Sequence, residues 1–142
     1  MAVETNDGLF GAIKEHLRLL GYSLTSAPVK KMPDLVIGNH SNRPKVGIRP
    51  YRNGVLLFAL LSGTDQASED RPGVMKFVNF ANTHSTAARF YWNFSANALV
   101  AEVWIAGAYE RAAFGAFFDE WTFDINACGT QSEAQKYLKS RL

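Results

Sequence analysis

One cysteine, Cys128, stands in 142 residues. An internal disulfide is excluded, and with it the small secreted scaffolds that depend on several; a cytoplasmic location is expected. Long apolar runs are also missing. The longest, Val55 to Leu61, has seven residues, against roughly 20 needed to cross a bilayer, so no membrane span is expected. The opening MAVETNDG has no basic region followed by an apolar segment, so no signal peptide is expected. Metal-ligand spacing is absent, because His16, His40 and His84 lie far apart and Cys128 has no nearby ligand type. Gly8, Gly11 and Gly21 fit no phosphate-binding loop. Asp119 and Glu120 are adjacent on an expected helix, point in different directions and cannot work as an acid–base pair. The sequence therefore assigns no catalytic residue, no cofactor and no metal. Net charge is only +2, too small to make nucleic acid the expected partner.

What is present describes an ordinary globular chain. Its length fits one domain over residues 1–142 and can bury a real core. Apolar residues make up 47% and charged residues 20%; with ten Phe, aromatic side chains should dominate that core. Charge is unevenly spread. Lys30, Lys31, Arg43, Lys45, Arg49 and Arg52 face Asp34 alone in one stretch. Glu102, Glu110, Asp119, Glu120 and Asp124 face Arg111 in another. Such segregation can steer a charged partner or pair two subunits, although most exposed charges simply face solvent.

Two helices carry the same apolar template. Val74, Phe77, Val78 and Ala81, and again Phe114, Phe117, Phe118 and Trp121, fall at i, i+3, i+4, i+7 on one helical face. The first of these helices starts at Pro72 and runs to about His84; the second spans Tyr109 to Phe123. An earlier helix, capped by Asn6 or Asp7, presents Leu9, Ile13, Leu17 and Leu20 and stops at Gly21. A loop follows, then short strands at DLVIG and at Lys45 to Tyr51. Asn53-Gly54 predicts a two-residue hairpin turn into the strand Val55 to Leu61, pairing Arg49 with Phe58. That strand is apolar on both faces and needs cover on both, from this chain or from a second copy.

SGTDQASEDRPG reads as a polar loop. A second hairpin turns at Ala96-Asn97 and pairs Trp92 with Ala101, Tyr91 with Glu102 and Arg89 with Trp104. Phe90, Trp92 and Phe94 share its apolar face and are expected in the core, which leaves Tyr91 as the outward aromatic. On the outer face Arg89, Trp104 and Glu102 would form a cation–π and ion-pair cluster. SEAQKYLKSRL closes the chain as a short basic helix. The fold class expected is α+β, a mostly antiparallel sheet of about five strands in the order α-β-β-β-α-β-β-α. Asn79 and Asn82 lie beside the apolar face of their helix, where they could hold a ligand or a partner's backbone, or satisfy strand-end or loop carbonyls as buried amides must; the structural role is the expected one.

The order and residues resemble the YbjN family, bacterial proteins whose fold is similar to that of type III secretion chaperones. The resemblance rests on VNFAN (Val78 to Asn82), on the alternating hairpin that follows it, and on the small-residue break Ala106-Gly107-Ala108 before an aromatic helix. It covers Leu9 to about Asp124. It implies a small cytosolic module, a sensory transduction regulator or chaperone-like protein, without catalytic signature.

The reading is a non-enzymatic protein-binding or regulatory module, with a protein partner or a homodimer and no membrane or cofactor. Its candidate partner surface is Lys45, Arg49, Arg52, Phe58, Arg89, Tyr91, Glu102 and Trp104. Two other readings compete: a small enzyme with a cleft that no motif reveals, and a weak nucleic-acid binder using Lys30 to Arg52.

Overall fold

The computed structural model describes residues 6–139, with side chains from Gly8 onward. The capping side chains expected at Asn6 or Asp7, and residues 140–142 of the expected final helix, lie outside the described residues. Among those described, the elements are α1 (Asn6–Leu19), β1 (Ser23–Ser26), β2 (Val36–Asn39), β3 (Val46–Tyr51), β4 (Gly54–Ser62), α2 (Asp65–Glu69), α3 (Arg71–Thr83), β5 (Arg89–Asn93), β6 (Ala98–Ala106), α4 (Arg111–Gly129) and α5 (Ala134–Tyr137). This is an α+β fold. The strands form one sheet in the order β1-β2-β3-β4-β6-β5, and the ladders β1–β2, β2–β3, β3–β4 and β5–β6 are antiparallel. Six strands are present rather than about five. The added one is β1, whose sequence SLTS has one apolar residue and so offers no alternation to read.

The described residues form two compact units. The first comprises residues up to Ala59 together with Val103–Ala116; the second comprises Leu60–Glu102 and the chain from Phe117 onward.

In the first unit α1 packs on β3 and β1. Leu9, Ile13 and Leu17 of α1 are buried, as are Val46 and Ile48 of β3 and Val55, Leu57 and Ala59 of β4. The strand residues share one sheet face, since Ile48 pairs with Leu57 and Pro50 with Val55. Gly21, at φ +98°, closes α1. Its amide donates to the Arg18 carbonyl and the Tyr22 amide to the Leu17 carbonyl, each at 3.0 Å, which is a Schellman ending. At the other end of Tyr22, its hydroxyl donates to the Pro44 carbonyl at 2.7 Å.

In the second unit all four template residues of α3 are buried. Asp70 caps this helix by accepting from the Gly73 amide at 3.0 Å, with Pro72 in the first turn. In α4, Phe118 and Trp121 belong here and are fully buried. The helix continues six residues past the expected end at Phe123, because nothing before Gly129 interrupts it and Ile125 and Cys128 extend the buried stripe.

The polar segment after β4 contains the helix α2 as well as loop. Thr64 caps it, its hydroxyl accepting from the Ala67 amide and donating to the Lys136 carbonyl. The expected terminal helix shrinks to the single turn of α5. Leu138 is extended and pairs with Gly63, and the Lys139 amide reaches the Ser62 carbonyl at 2.9 Å.

Candidate functional site

Both hairpins fold with a register that differs from the expected one, and this rearranges the candidate surface. In the first, Arg52 and Asn53 occupy the turn with φ of 46° and 62°, and Gly54 pairs with Tyr51 as the first residue of β4. Arg49 therefore lies opposite Leu56, and Phe58 lies opposite Gly47. The cause is steric. A methyl on Gly54 would overlap the Ile105 carbonyl oxygen and the Trp104 indole, so the glycine is spent on close approach and the left-handed turn falls to Arg52 and Asn53.

In the second hairpin Phe94 to Asn97 form a four-residue loop in which the Asn93 side chain accepts from the Ala96 amide at 3.0 Å. Arg89 consequently lies opposite Glu102, and Tyr91 opposite Val100. The cation–π and ion-pair cluster expected from pairing Arg89 with Trp104 does not have that register. Phe90 and Trp92 remain buried as expected, but Phe94 leaves the strand for the loop, where the Arg71 guanidinium sits 3.9 Å over its ring.

Five of the eight candidate residues fall in the first unit, on or beside the sheet face opposite its core. Phe58 lies over Gly47, where an added methyl would overlap the phenyl ring. Trp104, 50% exposed, covers Gly54 and donates its indole N–H to the Tyr51 carbonyl at 2.8 Å. Arg49 and Arg52 approach the Tyr51 ring at 4.8 and 5.3 Å, so one aromatic side chain holds two cations. Lys45, just before β3, is exposed. Phe58 over Gly47, Trp104 over Gly54 and Tyr51 thus make an aromatic floor beside the Arg49 and Arg52 guanidinium groups. The Arg49 Nε is buried without a hydrogen-bond partner.

The remaining three lie in the second unit. Tyr91 is 44% exposed and donates weakly to the Glu102 carboxylate at 3.4 Å. Burial first, and then the neighbouring Glu102, raise the Tyr91 hydroxyl above its ordinary pKa.

Two polar constellations in the second unit were not legible as sites, and both are structural. Asp124 is 5% exposed, and its Oδ2 accepts from the amides of Thr86, Ala87 and Ala88 at 3.0, 2.6 and 2.8 Å. Three successive N–H groups make a small anion nest that replaces solvent around the carboxylate. Asp124 therefore does not belong to the exposed acidic face expected from Glu102 to Asp124. Asn82 exchanges two hydrogen bonds with the Phe90 backbone, donating at 2.9 Å and accepting at 2.8 Å, and pins β5 to α3. This is the backbone-satisfying role expected of it; Asn79, expected to share it, is exposed instead. Among the described residues no three His, Cys, Asp or Glu side chains gather to hold a metal, and no helix is long and apolar enough to cross a membrane.

No known family's sequence pattern matches this chain, and no curated protein matches it by sequence. Solved structures do. The chain is similar to YbjN from E. coli, with a TM-score of 0.67 at 11% identity over 92% of this chain and 95% of that one. It is also similar to an uncharacterized protein from Methanothermobacter thermautotrophicus, with a TM-score of 0.62 at 13% identity over 83% and 92% of the two chains. The fold of this chain is YbjN-like.

Proposed function

We propose that this chain is a non-enzymatic protein-binding or regulatory module of the cytoplasm, and that the open sheet face of its first unit receives the partner. The observation that carries the reading is the floor of Phe58, Tyr51 and Trp104 set on Gly47 and Gly54 beside Arg49 and Arg52. Aromatic and arginine side chains on a shaped apolar floor are what protein interfaces concentrate. The charge of the Lys30–Arg52 stretch favours a partner that is acidic around an apolar anchor. YbjN is itself named as a candidate transcription regulator, and the shared fold supports the regulatory side of this reading. A second copy of the chain is the other protein occupant such a face admits.

The test is capture from native lysate on immobilised wild type and on Phe58→Glu, with circular dichroism to verify that the variant is folded. Proteins retained by wild type and lost from Phe58→Glu are the expected result. The same set retained by both would move the interface elsewhere. Firm retention of the free protein on a DNA or RNA column at physiological salt would favour the nucleic-acid reading instead.

A further inference from the structure

A groove of about 520 Å³ opens in the second unit between α3 and the segment from Gln131 to Tyr137. Its volume falls in the range of small-ligand sites, about 300–1,000 Å³. Its base is a buried aromatic pair and its rim carries an exposed phenyl ring. Phe77 and Tyr137 pack with ring centroids 5.9 Å apart, and Phe80 remains 42% exposed although it stacks on His84 at 4.1 Å. The His84 ring also bonds the Phe80 carbonyl through Nδ1 at 2.9 Å, which holds that stack in place.

The groove's charges balance, and one of its cations stands outside any ion pair among the described residues. Lys76, one turn before Phe80 on α3, takes no part in an ion pair among the described residues. The nearby Asp70 carboxylate, which feels Lys76 through space, is already occupied by the Tyr137 hydroxyl at 2.8 Å and the Gly73 amide. Glu133, the acid that lines the groove, is paired with Lys136 at 3.3 Å. Lys76 is thus left as a cation beside aromatic side chains, with the Ser132 hydroxyl in the same lining.

We propose that this groove binds a small aromatic carboxylate, its ring on the exposed Phe80 at the edge of the buried Phe77–Tyr137 pair and its carboxylate on Lys76. The groove shares no residue with the proposed partner surface, so either proposal can fail without the other.

Phenylacetate is the probe, with phenylacetamide as its neutral counterpart of the same shape. Both are titrated into the ¹⁵N-labelled full chain and followed by amide chemical shifts. Phenylacetate should saturate, with shifts confined to residues 73–80 and 131–137, and phenylacetamide should bind at least fivefold more weakly. Lys76→Gln, a change at an exposed position, should bring phenylacetate down to the amide's affinity and leave the amide's own affinity unchanged. Phe80→Ala should weaken both. Equal binding of acid and amide, shifts outside those segments, or a Lys76→Gln protein that binds phenylacetate like wild type would each overturn the proposal. So would shifts of the same resonances with protein concentration alone, which would place a second copy in the groove.

Discussion

Asp124 illustrates how one side chain can fix a junction that no hydrophobic pattern describes. Its carboxylate takes three backbone amides from the segment that leads into β5. Removing it by Asp124→Ala leaves those donors without their acceptor, and leaving buried donors unsatisfied costs about 2–4 kcal/mol in total. Urea melts should report that loss, together with faster hydrogen exchange at residues 86–88; a shift below about 0.5 kcal/mol would mean that water replaces the carboxylate at little cost. The sequence could not announce this role, because an acid near the end of a helix ordinarily faces solvent. Tyr22 offers a second test at this scale. Burial pushes its hydroxyl up to about 12, and Arg43 only partly draws it back. The folded-state value lies above the unfolded 10.0, so the stabilisation is complete below pH 10 and is lost as pH rises toward 12. Tyr22→Phe should flatten the fall of the urea midpoint over that interval, and an unchanged slope would assign the alkaline loss to other groups.

At the scale of elements, legibility followed the length and strength of the pattern. The four buried positions of α3 and the Phe118–Trp121 core of α4 were readable because a helical stripe repeats several times within one segment. Phe118→Ala should accordingly cost about 3–5 kcal/mol in a denaturant melt, the range for emptying a fully buried aromatic site. Registers were not readable, since they turn on single steric contacts. Asn53-Gly54 is a strong turn signal, yet Gly54 is claimed by the Trp104 indole and the Ile105 carbonyl. Two opposite outcomes follow from that competition. Gly54→Ala should destabilise by about 1–3 kcal/mol through overpacking. The double change Arg52→Asn, Asn53→Gly puts a favoured pair into the left-handed turn and should stabilise by about 1 kcal/mol. If Gly54→Ala were neutral in thermal melts, the observed register would be in error. The short elements β1 and α2 escaped sequence reading, and α5 was expected to be longer, for a related reason: each is set by partners distant in the chain. Thr64, for example, answers to Lys136 and Tyr137, far beyond any local window.

For the molecule as a whole, the fold was legible, but the division of the named candidate residues between two units was not. Salt separates the two protein occupants that the open face of the first unit admits. A two-fold dimer sets the same patch against itself, so Arg49 and Arg52 would meet their own copies across the axis. Like charges a few ångströms apart repel, and salt relieves that repulsion because the screening length is about 8 Å at physiological strength. An acidic partner experiences the reverse, attraction that salt weakens. Light scattering behind size exclusion should therefore give a mass near 15.7 kDa at low salt, moving toward twice that only as salt is added, while capture of the partner on the immobilised chain declines over the same series. Phe58→Glu should abolish both, since it adds a charge to the apolar floor that each occupant must bury. A dimer that is stable at low salt and survives Phe58→Glu would remove this face from self-association. Partner capture that ignores salt would remove charge complementarity as the basis of recognition and leave the aromatic floor over Gly47 and Gly54 to carry it alone.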